Sequence, residues 1–409
     1  MPKLHVPFFR PSLKDDEINE VVATLRSGWL TSGPKVQRFE KEFASAVGAT
    51  NAVAVNSATA ALHLAVEALG LLPGQGVLVP TMTFAATAEV LRYQGGVPIL
   101  VDCDPITLNM DLKDAARKLR RAKGRSQKSE VRGQKAMKVV GIMPVHVGGV
   151  MMDLDRLKRF AKENGLWIVE DAAHAFPASW RKTKTASWQH RSNGSKSVTC
   201  YSFYANKPIT TGEGGMAVTN NAKLAHRMKL MSLHGLSRDA WGRYAENGSW
   251  DYKIVAPGFK YNLTDIAAAI GVHQLNRAEA MRRQRQQIAK RYILALSDLN
   301  QIALPALEGN RKLSWHLFPI RLRLNRLKIN RDEFIDEMKR GGVGCSVHWR
   351  PLHLHPYYKK TFGYHARDFP IATTEWKRLV SLPIFPGMHH EEIQHVINTV
   401  KRMCARYAR

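Results

Sequence analysis

Residues 51–70 read NAVAVNSATAALHLAVEALG. The opening NAVAVN is short, apolar and partly β-branched, as a strand is, and it runs straight into a segment where Ala61, Leu62, Ala65 and Leu69 recur at helical spacing. Gly70 and Pro73 then stop the helix. A short strand feeding directly into a helix is the unit from which α/β layered domains are built.

The same unit can be followed outward in both directions. Strand candidates lie at 77–79 (ending at Pro80), 98–101, 139–145, 166–169, 198–203 and 216–219, the last two joined by a glycine-rich turn at 211–215. A helical pattern with an acidic start fills 153–163. Short apolar strands separated by helices predict a mainly parallel sheet with helices on both faces. The pattern fades after about residue 220. Residues 265–296 read as a long helix or helix pair, with Thr264 or Asn262 placed to cap its start and a basic face from Arg277 onward. Beyond it, strand-like pieces at 316–322 and 343–348 and helical patterns at 331–340 and 390–402 suit a smaller α+β domain. We therefore expect two domains, 1–264 and 265–409, in a chain of 409 residues with no internal repeat.

Composition narrows the class. Apolar residues at 44% and aromatic residues at 8% are ordinary for a globular chain. The start, MPKLHVPFFRPSL, has no charged segment leading into an apolar run, and nowhere do about 18 apolar residues follow one another. Neither a secretory signal nor a spanning helix is expected. Cys103, Cys200, Cys345 and Cys404 are scattered without CxxC spacing, which argues against a disulfide framework or zinc site and fits a reducing cytoplasm. The net charge of +27 is unusual. Residues 117–138 hold ten Lys or Arg and one acid, and 277–291 hold six and one. The first stretch reads as an insertion or exposed loop. No nucleic-acid motif accompanies either, so a solvated basic surface is the expectation.

Four groups of residues could carry chemistry, and each has a plainer alternative. Lys207, in YSFYANKPITTGEGG, follows a strand end near glycines, where a desolvated amine can bond to an aldehyde cofactor; it could equally be a solvated surface lysine. Asp171, in LWIVEDAAHA, falls at the carboxyl end of a strand, the edge where open α/β sheets bind ligands. There it could pair with a protonated pyridine nitrogen, or simply cap a helix. His174 would face the same side one turn later, or sit in the core. Ser57, Ala58 and Thr59 stand at a strand-to-helix junction, where free N–H groups bind phosphate or a hydroxyl merely caps the helix. Ser202 can add a hydroxyl, and Phe84, in PTMTFAATA, can lay its ring on a pyridine or join the core.

Taken together, GWLTSGPKVQRFEKEFA, VNSATAALHLA, PTMTFAATA, VDCDPITLNMD, VEDAAHA, SFYANKPITTGEGG and GFKYNLTDIAAAIGVHQL resemble the DegT/DnrJ/EryC1/StrS family of sugar aminotransferases, from about Val6 to at least Tyr358. The resemblance implies a fold like that of aspartate aminotransferase (fold type I), a large mainly parallel mixed-sheet α/β domain with a smaller C-terminal α+β domain. It also implies a homodimer with shared active sites and pyridoxal 5'-phosphate as cofactor. Lys207 is then the lysine that holds the cofactor, Asp171 pairs with its ring nitrogen, and Phe84 stacks on the ring. Ser57, Ala58, Thr59 and Ser202 surround the phosphate, and Asn262 reaches the phosphate of the other subunit's cofactor. His174 stands where relatives carry Gln or His.

Trp29 and Thr31 fall where the family lines its substrate pocket, and His348 and Arg350, in SVHWRPLHLHPYY, fall in a substrate-facing region. Arg243 or Arg350 would suit a nucleotide diphosphate. The expected substrates are an amino acid, glutamate first, and a nucleotide-linked keto-sugar. Dehydratases of this superfamily that replace the lysine with histidine cannot transaminate, and position 207 is lysine here. The alternatives are a keto-inositol aminotransferase, a sugar dehydratase, or a non-catalytic basic binding or regulatory protein. Residues 117–138 and 181–196 look longer and more charged than the family core needs.

Overall fold

The computed structural model describes residues 4–130, 137–184, 186, 196–237, 251–305 and 311–409, with the side chains of 123–130 left aside. Seven strands form the main sheet: β1 (Asn51–Val55), β2 (Gly76–Pro80), β3 (Val97–Val101), β4 (Val139–Ile142), β5 (Trp167–Asp171), β6 (Ser197–Ser202) and β7 (Gly215–Thr219). Their spatial order is β1-β7-β6-β5-β4-β2-β3. The pairs β2–β3, β2–β4, β4–β5 and β5–β6 are parallel, and β7 is antiparallel to both β6 and β1. The sheet is thus mixed but mainly parallel, as expected.

Both of its faces are buried, and the strand period of two shows why. Val53, Val55, Val77, Val79, Val169 and Val198 pack into one apolar cluster, while Ala54, Leu78, Ile168 and Tyr201 pack into another. Helix α1 (Asp15–Arg26) and α2 (Pro34–Val47) are followed by α3 (Ala58–Ala68), α4 (Ala86–Tyr93), α5 (Leu112–Glu130), α6 (Leu154–Asn164) and α7 (Ala222–Met231). α3 ends before Gly70, whose φ of 74° is left-handed. α6 starts at Asp153, whose carboxylate accepts the amides of Asp155 and Arg156, and ends at Gly165 with φ 66°.

The long segment is one helix, α8 (Asp265–Leu296), capped by Thr264 through the amide of Ala267. Ala268, Val272, Ala278 and Met281 join one cluster of the main sheet. Further along the same helix, Ile288, Tyr292 and Leu296 join a third cluster with Phe318, Ile320 and Phe334. That cluster covers a three-stranded sheet of β8 (Ile302–Ala303), β9 (Phe318–Leu322) and β10 (Leu379–Leu382). α9 (Arg331–Arg340), α10 (Pro356–Phe362), α11 (Pro370–Arg378) and α12 (His390–Arg406) complete the chain.

Two expectations need correction. The basic stretch 117–138 is no loop up to Glu130: it continues helix α5, because Ala115, Leu119 and Ala122 give a narrow stripe that is buried against the main sheet. Residues 131–136 lie outside the described chain. Nor is 343–348 a strand. Val343 and Ser346 make only single bridges, to Val6 and Ser381. Most of 181–196 also lies outside the described residues. Among those described, no helix is long and apolar enough to cross a membrane.

Candidate active site

The carboxyl ends of the parallel strands open into a cavity of about 470 Å3, lined among others by Ser57, Ala58, Thr59, Phe84, Asp171, His174, Ser202, Lys207 and His348. β5 delivers Asp171 as its last residue, 6% exposed. Its Oδ2 accepts the hydroxyl of Thr87 at 2.8 Å and its Oδ1 accepts the amide of Ala173 at 3.1 Å. Burial pushes the carboxyl above its ordinary value, opposed by those two hydrogen bonds and by the charge of Lys207.

Lys207 lies in the loop between β6 and β7, and its Nζ is 2.9 Å from Nε2 of His174. Burial brings the amine down from 10.5 to about 8, partly offset by Asp171. The other ring nitrogen of His174, Nδ1, accepts the amide hydrogen of Gly148 at 3.2 Å. That bond fixes the tautomer. With Nδ1 accepting, Nε2 carries the proton and donates to Lys207 wherever the amine is neutral, above about pH 8. Burial, then Lys207, His316 and His348, hold His174 well below the usual histidine range. The ring packs against Trp349, stacked at 5.0 Å, and His316, tilted at 4.1 Å.

Ser57 caps α3, its hydroxyl accepting the amide of Ala60 at 3.1 Å, so the plainer reading holds for the side chain. The amides of Ala58 and Thr59, in the first turn, have no acceptor within the helix. Gly215 at the start of β7 lets this turn approach: a Cβ there would fall 2.4 Å from the carbonyl of Ser57. The Ser202 hydroxyl closes β6 and accepts the amide of Tyr204 at 3.3 Å. Phe84 stands at the rim, 61% exposed. On the far wall, His348 bonds Ser381 at 2.9 Å, and burial and Lys207 depress it to about 3.

The remaining candidates lie elsewhere. Asn262, Trp29 and Thr31 gather at the start of α8, outside the lining of the cavity. Asn262 donates to the Ser32 hydroxyl at 2.8 Å, Trp29 Nε1 donates to the Ser32 carbonyl at 3.2 Å, and the Thr31 carbonyl accepts the amide of Asp265. Arg350 donates to the carbonyl of Leu354 and lies 5.5 Å from the Trp376 ring. Arg243 is outside the described residues. Sequence reasoning missed Thr87, Gly148, His316 and Trp349. Thr87 lies one helical turn after Phe84 and Trp349 beside His348, but nothing in the sequence ties Gly148 or His316 to His174.

The model of the DegT/DnrJ/EryC1/StrS aminotransferase family matches residues 11–401. The chain is 40% identical to the spore coat polysaccharide biosynthesis protein SpsC of Bacillus subtilis, covering 97% of this chain and 96% of that protein. It is 42% identical to the uncharacterized protein MJ1066 of Methanocaldococcus jannaschii, over 97% of each. Among solved structures, the putative sugar aminotransferase Spr1654 from Streptococcus pneumoniae in its PMP form superposes with a TM-score of 0.86, at 30% identity, over 98% of this chain and 99% of that one. Its PLP form gives 0.85. A match of this length, with relatives at these identities, means that the chain belongs to the DegT/DnrJ/EryC1/StrS aminotransferase family.

Proposed function

We propose that this protein moves an amino group from glutamate to a keto-sugar linked to a nucleotide, giving an amino-sugar for polysaccharide or glycan synthesis. One observation carries the reading: Lys207, a buried amine hydrogen-bonded to His174, shares a cavity with the buried carboxyl group of Asp171. The naming of SpsC for spore coat polysaccharide biosynthesis supports the product class.

The residues fit pyridoxal 5'-phosphate part by part. Lys207 would hold the aldehyde, Asp171 would face the ring nitrogen and Phe84 the ring. The first turn of α3 with Ser202 would take the phosphate, in a cradle that a side chain at Gly215 would fill. Asn206 adds a buried Oδ1 without a partner in the same cavity. When bound, this cofactor acts as the electron sink of the reaction. The protein supplies the rest. Asp171 would keep the ring nitrogen protonated. Lys207 Nζ takes a proton from the α-carbon of the amino acid and, in the return half, delivers one to the sugar carbon that gains nitrogen. His174 Nε2–H orients Lys207, and the Trp349 stack fixes His174.

We read residues 1–264 as the cofactor-holding part and 265–409 as the part that closes the cavity through His348 and Trp349. In a homodimer, Asn262, Trp29 and Thr31 would serve the partner subunit's cavity, which accounts for their clustering away from this one. Arg243 and Arg350 are the candidates for the nucleotide's phosphates. Four free cysteines, scattered along the chain, support a cytoplasmic setting.

The test is the visible spectrum of the protein with cofactor, before and after glutamate, beside Lys207→Ala. A yellow band that bleaches with glutamate in the wild type alone is expected, followed by amination of nucleotide keto-sugars. No lysine-dependent band would sink the enzyme reading. Amination of keto-inositols only would move the substrate class.

A further inference from the structure

A second cavity, far smaller at about 20 Å3, shares Asn206 and Lys207 with the first. That is room for one particle of roughly water size. Its wall is formed by the amino-terminal arm, the Lys207 loop, α8 and the segment after β10. Among the described residues this wall carries Arg10, Lys207 and Arg285 and no aspartate or glutamate.

The three cations are not equivalent. Arg10 is paired with Glu392 at 2.8 Å. Lys207 has His174. Arg285, projecting from α8, is only 5% exposed. Its one hydrogen bond among the described residues runs from Nη1 to the Pro208 carbonyl at 3.3 Å, and its Nε has no partner. Burial lowers the guanidinium to about 10, so it remains charged at neutral pH. The neighbouring His316 brings no negative charge: burial, reinforced by Lys207, His348 and Arg285, holds its imidazole well below the usual histidine range. A buried, unpaired positive charge is costly, and such charges are ordinarily paired.

We propose that this cavity binds a small monovalent inorganic anion of chloride size, which serves as the counter-ion of Arg285. The space suits a small ion, and with no carboxylate on the wall among the described residues the charge is left to be met by one. A bound water would fill the space but leave the charge uncompensated. The anion would lie against the loop that carries Lys207 and tie it to α8 through Arg285.

Two measurements test this. Crystals of the whole protein grown in sodium bromide, with data collected at the bromine edge, should show an anomalous peak in hydrogen-bond range of the Arg285 guanidinium. In solution, chloride or bromide should raise the Tm saturably by a few degrees over sodium gluconate at equal ionic strength. Arg285→Met should lose that saturable rise, while Arg285→Lys keeps part of it. A peak-free cavity holding only water overturns the proposal, and so does a halide response that is unchanged in Arg285→Met. The wild-type bromide map decides the matter by itself if the methionine variant does not fold.

Discussion

Nε2 of His174 and Nζ of Lys207 face each other at 2.9 Å, and the amide of Gly148 at the opposite ring nitrogen settles which of the two donates. A protonated Lys207 would force the proton from Nε2 to Nδ1, where it would point at the Gly148 N–H. The arrangement that keeps both hydrogen bonds has a neutral imidazole and a neutral amine, a form the amine reaches above about pH 8.

The first prediction concerns that tautomer. In the cofactor-free protein above about pH 8, where Lys207 is neutral, nitrogen NMR of His174 should show Nε2 protonated and Nδ1 bare. The ring should stay neutral as the pH falls through roughly 6.5, where a free histidine gains its proton. Protonation of His174 near that value would contradict the assignment.

Lys207 makes a second, thermodynamic prediction. Its amine is lowered from 10.5 to about 8, so between those values the unfolded chain holds a proton that the folded one lacks. Folding stability from this group therefore rises with pH across that window and is flat below it. The shift corresponds to about 3 kcal/mol. Denaturation of the cofactor-free protein from pH 7 to 10 should show this rise, and Lys207→Met should be more stable than wild type at pH 7 and lack it.

Thr87→Val tests the support of Asp171. Removing the hydroxyl donor at 2.8 Å pushes the buried carboxyl further up and weakens its hold on a ring proton. Hydrogen bonds to charged groups contribute about 1.5–3 kcal/mol, so turnover should fall by roughly 10- to 100-fold. Asp171→Asn should lose more. Equal turnover in Thr87→Val and wild type would separate Thr87 from the chemistry.

Phe84→Ala should behave in the opposite sense. The ring is largely exposed, so the Tm of the cofactor-free protein should barely change. Cofactor affinity should drop by about 0.5–1.5 kcal/mol, the range of an aromatic stack. Equilibrium dialysis checks the affinity and calorimetry the stability.

Gly149→Ala addresses the loop that carries Gly148. The residue has φ 91°, and a Cβ would fall 1.7 Å from the Ser314 hydroxyl and 2.9 Å from the His174 carbonyl. We expect a loss of roughly 2–4 kcal/mol in stability by thermal unfolding, with His174 displaced.

The sequence was most readable where one physical rule acted alone. β1 running into α3, the end of β5 at Asp171 and the long α8 all follow from period and punctuation. α5 was missed because only Ala115, Leu119 and Ala122 anchor it beneath a dense basic surface. Residues 343–348 looked like a strand because their residue types favour one, yet their backbone finds only single partners. Within the site, Lys207, Asp171 and Ser202 were legible from their places at strand ends. Gly148, His316 and Thr87 acquire their meaning only when distant segments meet, and a single sequence carries no mark of that meeting.

The sharing of α8 between two apolar clusters bears on how this protein could be dissected. A fragment cut after residue 264 would retain every strand of the large sheet, yet it would lose Ala268, Val272, Ala278 and Met281 from beneath that sheet. The complementary piece would begin with a helix whose first half has nothing to lie on. Expressed separately, neither half should behave as an autonomous module, and mixing the two should restore solubility to both.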